Sequence, residues 1–110
     1  MSSDASWTDL SGFQRDTLEA IRRIESDPDG ESYGLAIKRE LQSMLDEEIN
    51  NGRLYQNLDE LEALGLVERG EIDRRTNSYE LTDAARELFQ ERVETLTDLW
   101  GAEPCEPGVR

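Results

Sequence analysis

The 110-residue chain has no histidine, one cysteine and one lysine. Without histidine, and with Cys105 alone, the usual donor set of a zinc site is missing, and no disulfide can close within the chain. The side chain most used for general acid–base work is also absent. No apolar run reaches the length of a signal peptide or a membrane helix. With the lone cysteine, this points to the cytoplasm and away from a membrane. The chain has no glycine-rich phosphate loop and no nucleophile elbow. Asp27, Asp29 and Glu31 resemble a calcium loop, but Gly30 stands at the wrong offset and no bidentate acid follows at the twelfth position. Cys105 lies between Glu103 and Glu106, which disfavour its thiolate. The expectation is therefore a non-enzyme with no catalytic residue, metal or cofactor.

What is abundant is acid. There are 26 carboxylate residues against 12 cations, a formal net charge of −14, and eleven of the twelve cations are arginine. Carboxylates bind water and hydrated cations strongly, whereas lysine stems add exposed apolar surface. An acidic exterior almost free of lysine suits a protein kept soluble in concentrated salt, with inorganic cations as partners at its surface. It resembles the cytoplasmic proteins of salt-accumulating halophiles. At low salt such a surface repels itself.

The length suits one domain with a modest core. Residues 1–9 read as a flexible N-terminal arm and 101–110 as a disordered tail with two prolines and two glycines. Between them the apolar residues recur at helical spacing. Ser11 caps a first helix to Glu25, carrying Phe13, Leu18, Ile21 and Ile24 on one side, and it ends at the turn DPDG. Ser32 is expected to cap a second helix with the stripe Tyr33, Ile37, Leu41 and Leu45. A third helix, capped by Asn50 or Asn51, carries Leu54, Leu58, Leu61 and Leu64, and Gly65 closes it in the left-handed conformation. The segments LVERG and SYELT, joined by EIDRRTN, read as a hairpin with Val, Tyr and Leu inward. Thr82 caps a last helix with the stripe Ala85, Phe89, Val93, Leu96 and Trp100, widened by Leu88 and Leu99. Its apolar face exceeds what one small domain can cover and calls for a partner helix. The order helix, helix, helix, hairpin, helix is that of a winged helix-turn-helix, a mainly α (α+β) fold. Residues 10–82 form the winged domain and 83–100 a dimerisation helix.

Three stretches escape the acidity: SYGLAIKR (32–39), INNGRLYQNL (49–58) and RRTNSY (74–79). They hold five cations and no acid, while the remainder carries a balance of −19. In a winged helix they are the start of helix 2, the front of helix 3 and the wing tip, which meet a duplex on docking. The candidate double-stranded DNA contacts are Ser32, Tyr33, Lys38, Arg39, Asn50, Asn51, Gly52, Arg53, Tyr55, Gln56, Asn57, Arg74, Arg75 and Thr76. Small polar residues at the front of helix 3 let it approach the groove floor. Arg53 suits guanine edges, and Gln56 or Asn57 suits adenine. The alternative for Tyr55 is a half-buried core ring. Arg74 and Arg75 suit phosphate contact or minor-groove insertion.

The runs SYGLAIKREL, GRLYQNLDELEALGLVE and DRRTNSYELTDAARE resemble the PadR family of winged-helix transcriptional regulators. The resemblance covers roughly residues 10–90. It implies a homodimer held by the C-terminal helix, often with help from the first helix, on a palindromic operator. Many members repress until a small molecule or stress signal releases them, and the acidic character resembles haloarchaeal members tied to oxidative stress. Here only one short helix follows the wing, so no separate ligand-binding domain is evident. The expected dimer seam is Leu88, Phe89, Val93, Leu96, Leu99 and Trp100, flanked by Trp7, Leu10 and Phe13. A winged helix used for protein contact is the rival reading. Because counterion release is nearly exhausted in molar salt, affinity should come from shape, hydrogen bonds and apolar contact, with cations taken up near Glu47, Glu48 or Asp73.

Overall fold

The structure is a computed structural model that describes residues 5–101. Residues 1–4 and 102–110, with Cys105 and nearly all of the expected disordered tail, lie outside the described residues. A 3-10 turn at Trp7–Asp9 leads into α1 (Gly12–Glu25), α2 (Gly34–Leu45), α3 (Asn51–Ala63), β1 (Val67–Asp73), β2 (Thr76–Leu81) and α4 (Asp83–Leu99). This is a winged helix-turn-helix: four helices and one two-stranded antiparallel sheet.

Each boundary has a local cause. Ser11 and Gln14 cap α1 reciprocally, with Gln14 N donating to Ser11 Oγ at 3.1 Å and Ser11 N donating to Gln14 Oε1 at 3.0 Å. Asn50 is the cap of α3 and accepts from Arg53 N at 3.0 Å. Gly65, at φ 79°, closes that helix. Leu66 N then donates back to Leu61 O at 3.0 Å and Gly65 N to Glu62 O at 2.9 Å, the paired bonds of a glycine-terminated helix. Leu64 was expected on the buried stripe, but it is the residue that ends the helix and is exposed.

Leu18, Ile21, Ile37, Leu41, Leu54, Leu58, Leu61 and Leu66 are fully buried and fix α1, α2 and α3 against one another. The α2–α3 connection is tied down by Gln42, whose Oε1 accepts from Ile49 N at 3.1 Å. Ile49 is thereby drawn into the core.

Ser32 is not the cap of α2. Tyr33 takes that position with extended backbone and no side-chain cap. Ser32 is buried, its hydroxyl donating to Tyr79 O at 2.5 Å and its carbonyl accepting from Tyr79 N at 2.8 Å. The physical reason is that the outer edge of β2 needs a partner. Ser32 and Tyr33, the latter bridging Ser78, supply a stub of a third strand.

The strands are longer than LVERG and SYELT. They pair from Val67 with Leu81 to Asp73 with Thr76, leaving Arg74 and Arg75 as a two-residue tip. Val67, Tyr79 and Leu81 point inward, as the alternation requires. Thr82 caps α4, accepting from Ala85 N at 3.2 Å while donating to Gly65 O at 2.7 Å. The expected flexible arm is in part a 3-10 turn, with the Trp7 ring 5.4 Å from that of Phe89 on α4. Leu10, Phe13 and Leu88, assigned above to a dimer seam, are only 4%, 8% and 8% exposed and belong to the protomer's own core. Beyond them α4 leaves the body, and Val93, Leu96, Leu99 and Trp100 are open to solvent. No helix among the described residues is long and apolar enough to cross a membrane.

Leu58→Ala should lower the unfolding free energy by about 2–5 kcal/mol, and Gly65→Ala by about 1 kcal/mol because φ stays positive. Urea unfolding in molar KCl checks both.

Candidate nucleic-acid interface

The start of α2, the middle of α3 and the wing enclose an open groove of about 670 Å³. Tyr33, Gly34 and Leu35 line it from the first acid-free stretch, Tyr55 from the second, and Arg75, Thr76, Asn77 and Tyr79 from the third. Residues as far apart in sequence as Tyr33 and Tyr79 therefore share one surface. Tyr55 is a built feature of it. A Cβ on Gly34 would collide with Tyr55 Oη and lie 2.9 Å from Cε1 and Cζ. The ring is thus held over the first residue of α2 and stays exposed, not in the core. The first turn of α2 beside it has no side-chain cap, and such a turn leaves backbone amides without a helical acceptor.

Ion pairs within the described residues form only outside the acid-free stretches, at three of the six described arginines there; Arg15, Arg22 and Arg92 make none. Among the described residues, Arg23 pairs with Glu19 at 2.9 Å, Arg86 with Glu25 at 2.9 Å, and Arg69 with Glu62 at 3.2 Å and Asp59 at 3.9 Å. Lys38, Arg39, Arg53, Arg74 and Arg75 make no ion pair among these residues. The guanidinium of Arg53 instead lies 3.9 Å from the centre of the Phe13 ring, a cation–π stack that parks it at the front of α3.

The other candidates divide. Asn51, Gly52 and Gln56 are exposed at the front of α3. Asn50 is committed to its cap, and Asn57 Nδ2 donates to Arg53 O at 2.7 Å, which folds it onto its own helix. Lys38 is one turn on from Gly34 and half-buried. Arg39 lies round the helix from the groove, in a separate hollow with Asp27, Asp29, Glu31 and Glu40. Ser32 is withdrawn by burial: its side chain serves the wing.

The sequence reading placed Asp73 near the phosphates but missed other residues of the groove. Glu31, Asp59 and Asp73 line it, so it is not free of acid, although Asp59 faces Arg69 and Asp73 closes the wing turn. The Arg75 amide, bonded to Asp73 Oδ1 at 2.8 Å, holds that carboxyl below the usual carboxylate range, and the Thr76 hydroxyl and amide add to the effect. Leu35 and Ile72 also line the groove and are exposed. The signal for Leu35 was available: it falls outside the stripe of Ile37 and Leu41.

A helix-turn-helix with a wing, a groove shared by the start of α2, α3 and the wing, and a terminal helix with an exposed apolar end together define a class of transcriptional regulator. The chain belongs to the PadR-like family of transcriptional regulators, whose family model matches residues 27–91. It is similar to RosR of H. salinarum in crystals grown from NaBr, at 41% identity and a TM-score of 0.75 over 87% of this chain and 82% of that one. The structure described as the complex of hsRosR-S1 is similar at 41% identity and a TM-score of 0.76, over 87% of this chain and 80% of that one. A transcriptional regulator of Clostridium thermocellum shares the fold at 20% identity and a TM-score of 0.55, over 89% of this chain and 96% of that one. Among curated proteins no sequence matches.

Gly34→Ala should displace the Tyr55 ring and cost about 1–3 kcal/mol through overpacking, read by urea unfolding together with the Tyr55 ring resonances. Because the folded-state pKa of Asp73 is depressed, its stabilisation of the wing turn is complete above the unfolded value. It is lost as pH falls through the folded one. The Arg75 amide resonance should follow that titration in an acid pH series.

Proposed function

We propose that the chain is a sequence-specific regulator that binds double-stranded DNA in a concentrated-salt cytoplasm, as a homodimer on a palindromic operator. The observation that carries this reading is that the three acid-free stretches share one groove, lined by Tyr33, Gly34 and Leu35, by Tyr55, and by Arg75, Thr76 and Asn77. The five cations of these stretches make no ion pair among the described residues, in a chain with more than two acids per cation. A duplex supplies phosphates at regular spacing for cations so placed.

In this reading the exposed front of α3 enters the major groove. Arg53 leaves the face of Phe13 to reach a guanine edge, with Gln56 beside it for adenine. Arg74 and Arg75 at the wing tip meet phosphates, Lys38 anchors the backbone beside α2, and the Tyr55 hydroxyl donates to a phosphate at the mouth of the groove. Cations enter with the duplex near Asp73, and near Glu47 and Glu48 in the turn between α2 and α3. The dimer forms through Val93, Leu96, Leu99 and Trp100, which are 40% to 78% exposed on one protomer, with Phe89 and Trp7 at the near end of the seam. Two copies of α3 then lie roughly 34 Å apart, one helical turn of DNA. Repression relieved by a stress signal is the regulatory form that the family resemblance suggests. The 41% identity to RosR structures described as complexes supports the binding role.

The triple variant Arg53→Ala/Arg74→Ala/Arg75→Ala should abolish specific binding to duplexes selected from a random pool, while light scattering still reports a dimer. If no duplex is selected at any salt concentration, the winged domain serves protein contact instead. Leu99→Asp/Trp100→Asp should give a monomer in molar KCl and weaken operator binding by at least about tenfold, since half of the bivalent contact is lost. An unchanged dimer would remove α4 from the seam.

A further inference from the structure

The wing is held at its root by a residue that no motif marks. β2 shows its outer edge to α1 and α2, and two of its amides point that way. Tyr79 N is taken by Ser32 O, and Leu81 N by Glu25 Oε2 at 3.0 Å. The second oxygen of the same carboxylate, Glu25 Oε1, accepts from Arg86 of α4 at 2.9 Å. Glu25 is the last residue of α1, where the helix dipole disfavours an acid. Its side chain is nonetheless 16% exposed and both oxygens are engaged. One carboxylate thus bridges three elements: the helix it stands on, the wing strand, and the helix that carries the exposed apolar seam.

We propose that Glu25 is a positioning residue for duplex binding, setting the inclination of the wing relative to α4. This rests on the DNA-binding reading above. Leu81 is the last residue of β2, and α4 begins two residues later, at Asp83. The hairpin is tied to α1 and its following loop at Leu81 by Glu25 and at Tyr79 by Ser32, with Arg74 and Arg75 at the far end of the lever. A small rotation at Leu81 moves those two guanidiniums furthest of all. Arg86 lies one turn into α4, so any repacking of α4 at the dimer seam reaches the wing through the Arg86–Glu25–Leu81 chain. On β1 only Val67 is buried, so the wing meets the core through Val67 and through Tyr79 and Leu81 of β2, and the Glu25 link adds a polar route beside that packing.

Two substitutions separate the links. Glu25→Gln keeps an oxygen for Leu81 N and loses the charge facing Arg86, whereas Glu25→Ala removes both. Binding to a duplex selected by the wild-type protein is measured across a KCl series, with dimer mass and thermal unfolding recorded for each variant. In the folded dimer, Glu25→Ala should weaken binding about three- to tenfold. At the low-salt end of the series, where counterion release still contributes, it should also make log K less dependent on log salt, as expected when wing phosphate contacts are lost. Glu25→Gln and Arg86→Gln should each give a smaller loss of the same kind. In the Arg74→Ala/Arg75→Ala background, Glu25→Ala should have no further effect, since its action passes through the wing tip. Unchanged affinity and slope for Glu25→Ala in a folded dimer would overturn the proposal, as would an equal loss in the Arg74→Ala/Arg75→Ala background. Should Glu25→Ala fail to fold, Glu25→Gln and Arg86→Gln carry the same comparison. If the wild-type protein selects no duplex at all, the DNA-binding reading falls first, and this proposal with it.

Discussion

A protein with a net charge of −14 repels a polyanion at every approach except where its carboxylates are kept back. That constraint governs the architecture. At short range the sign of the local surface outweighs the net charge, because the Debye length is only a few ångström in molar salt. A duplex at contact therefore senses the nearest side chains and little else. In the proposed reading, five cations at three acid-free chain segments, with carboxylates abundant elsewhere, reconcile an acidic exterior with a site for DNA.

The fold converts a distribution along the sequence into one in space. The buried leucines of α3 set its front turn beside the start of α2, and Gly34 admits the Tyr55 ring between them. Ser32 and Tyr33 then fasten β2 to the same place, so that the wing tip completes the groove. The segregation is incomplete. Glu31, Asp59 and Asp73 line the groove, Asp59 with Arg69 opposite and Asp73 committed to the wing turn. The wing and α4 meet at Glu25, which accepts from the Leu81 amide and from Arg86.

Much of this was legible in the sequence, because it is local. Capping by Ser11, Asn50 and Thr82, closure at Gly65 and the inward alternation of Val67, Tyr79 and Leu81 depend on residues a few positions apart. What was not legible depends on partners far away. Ser32 looks like a helix cap until Tyr79, 47 residues on, claims its hydroxyl. Phe13, Leu10 and Leu88 look like surplus apolar surface until the helices close over them, and Phe13 gains Arg53 above its ring. The acid-free stretches correctly marked Tyr33, Tyr55, Arg75 and Thr76 as neighbours around one groove. They also included Arg39, which the helical period turns away into an acidic hollow. Glu31 and Asp59 were missed because a run of sequence free of acid does not define a surface free of acid.

Affinity for a selected duplex, followed from about 0.2 M to about 3 M KCl, tests the central claim most directly. Binding dominated by counterion release falls linearly on a log–log plot, with a slope close to the number of phosphates neutralised. If shape, hydrogen bonds and cation uptake sustain the complex, the curve should be shallow or rise to a maximum at high salt. A steep, monotonic loss across the whole range would contradict it.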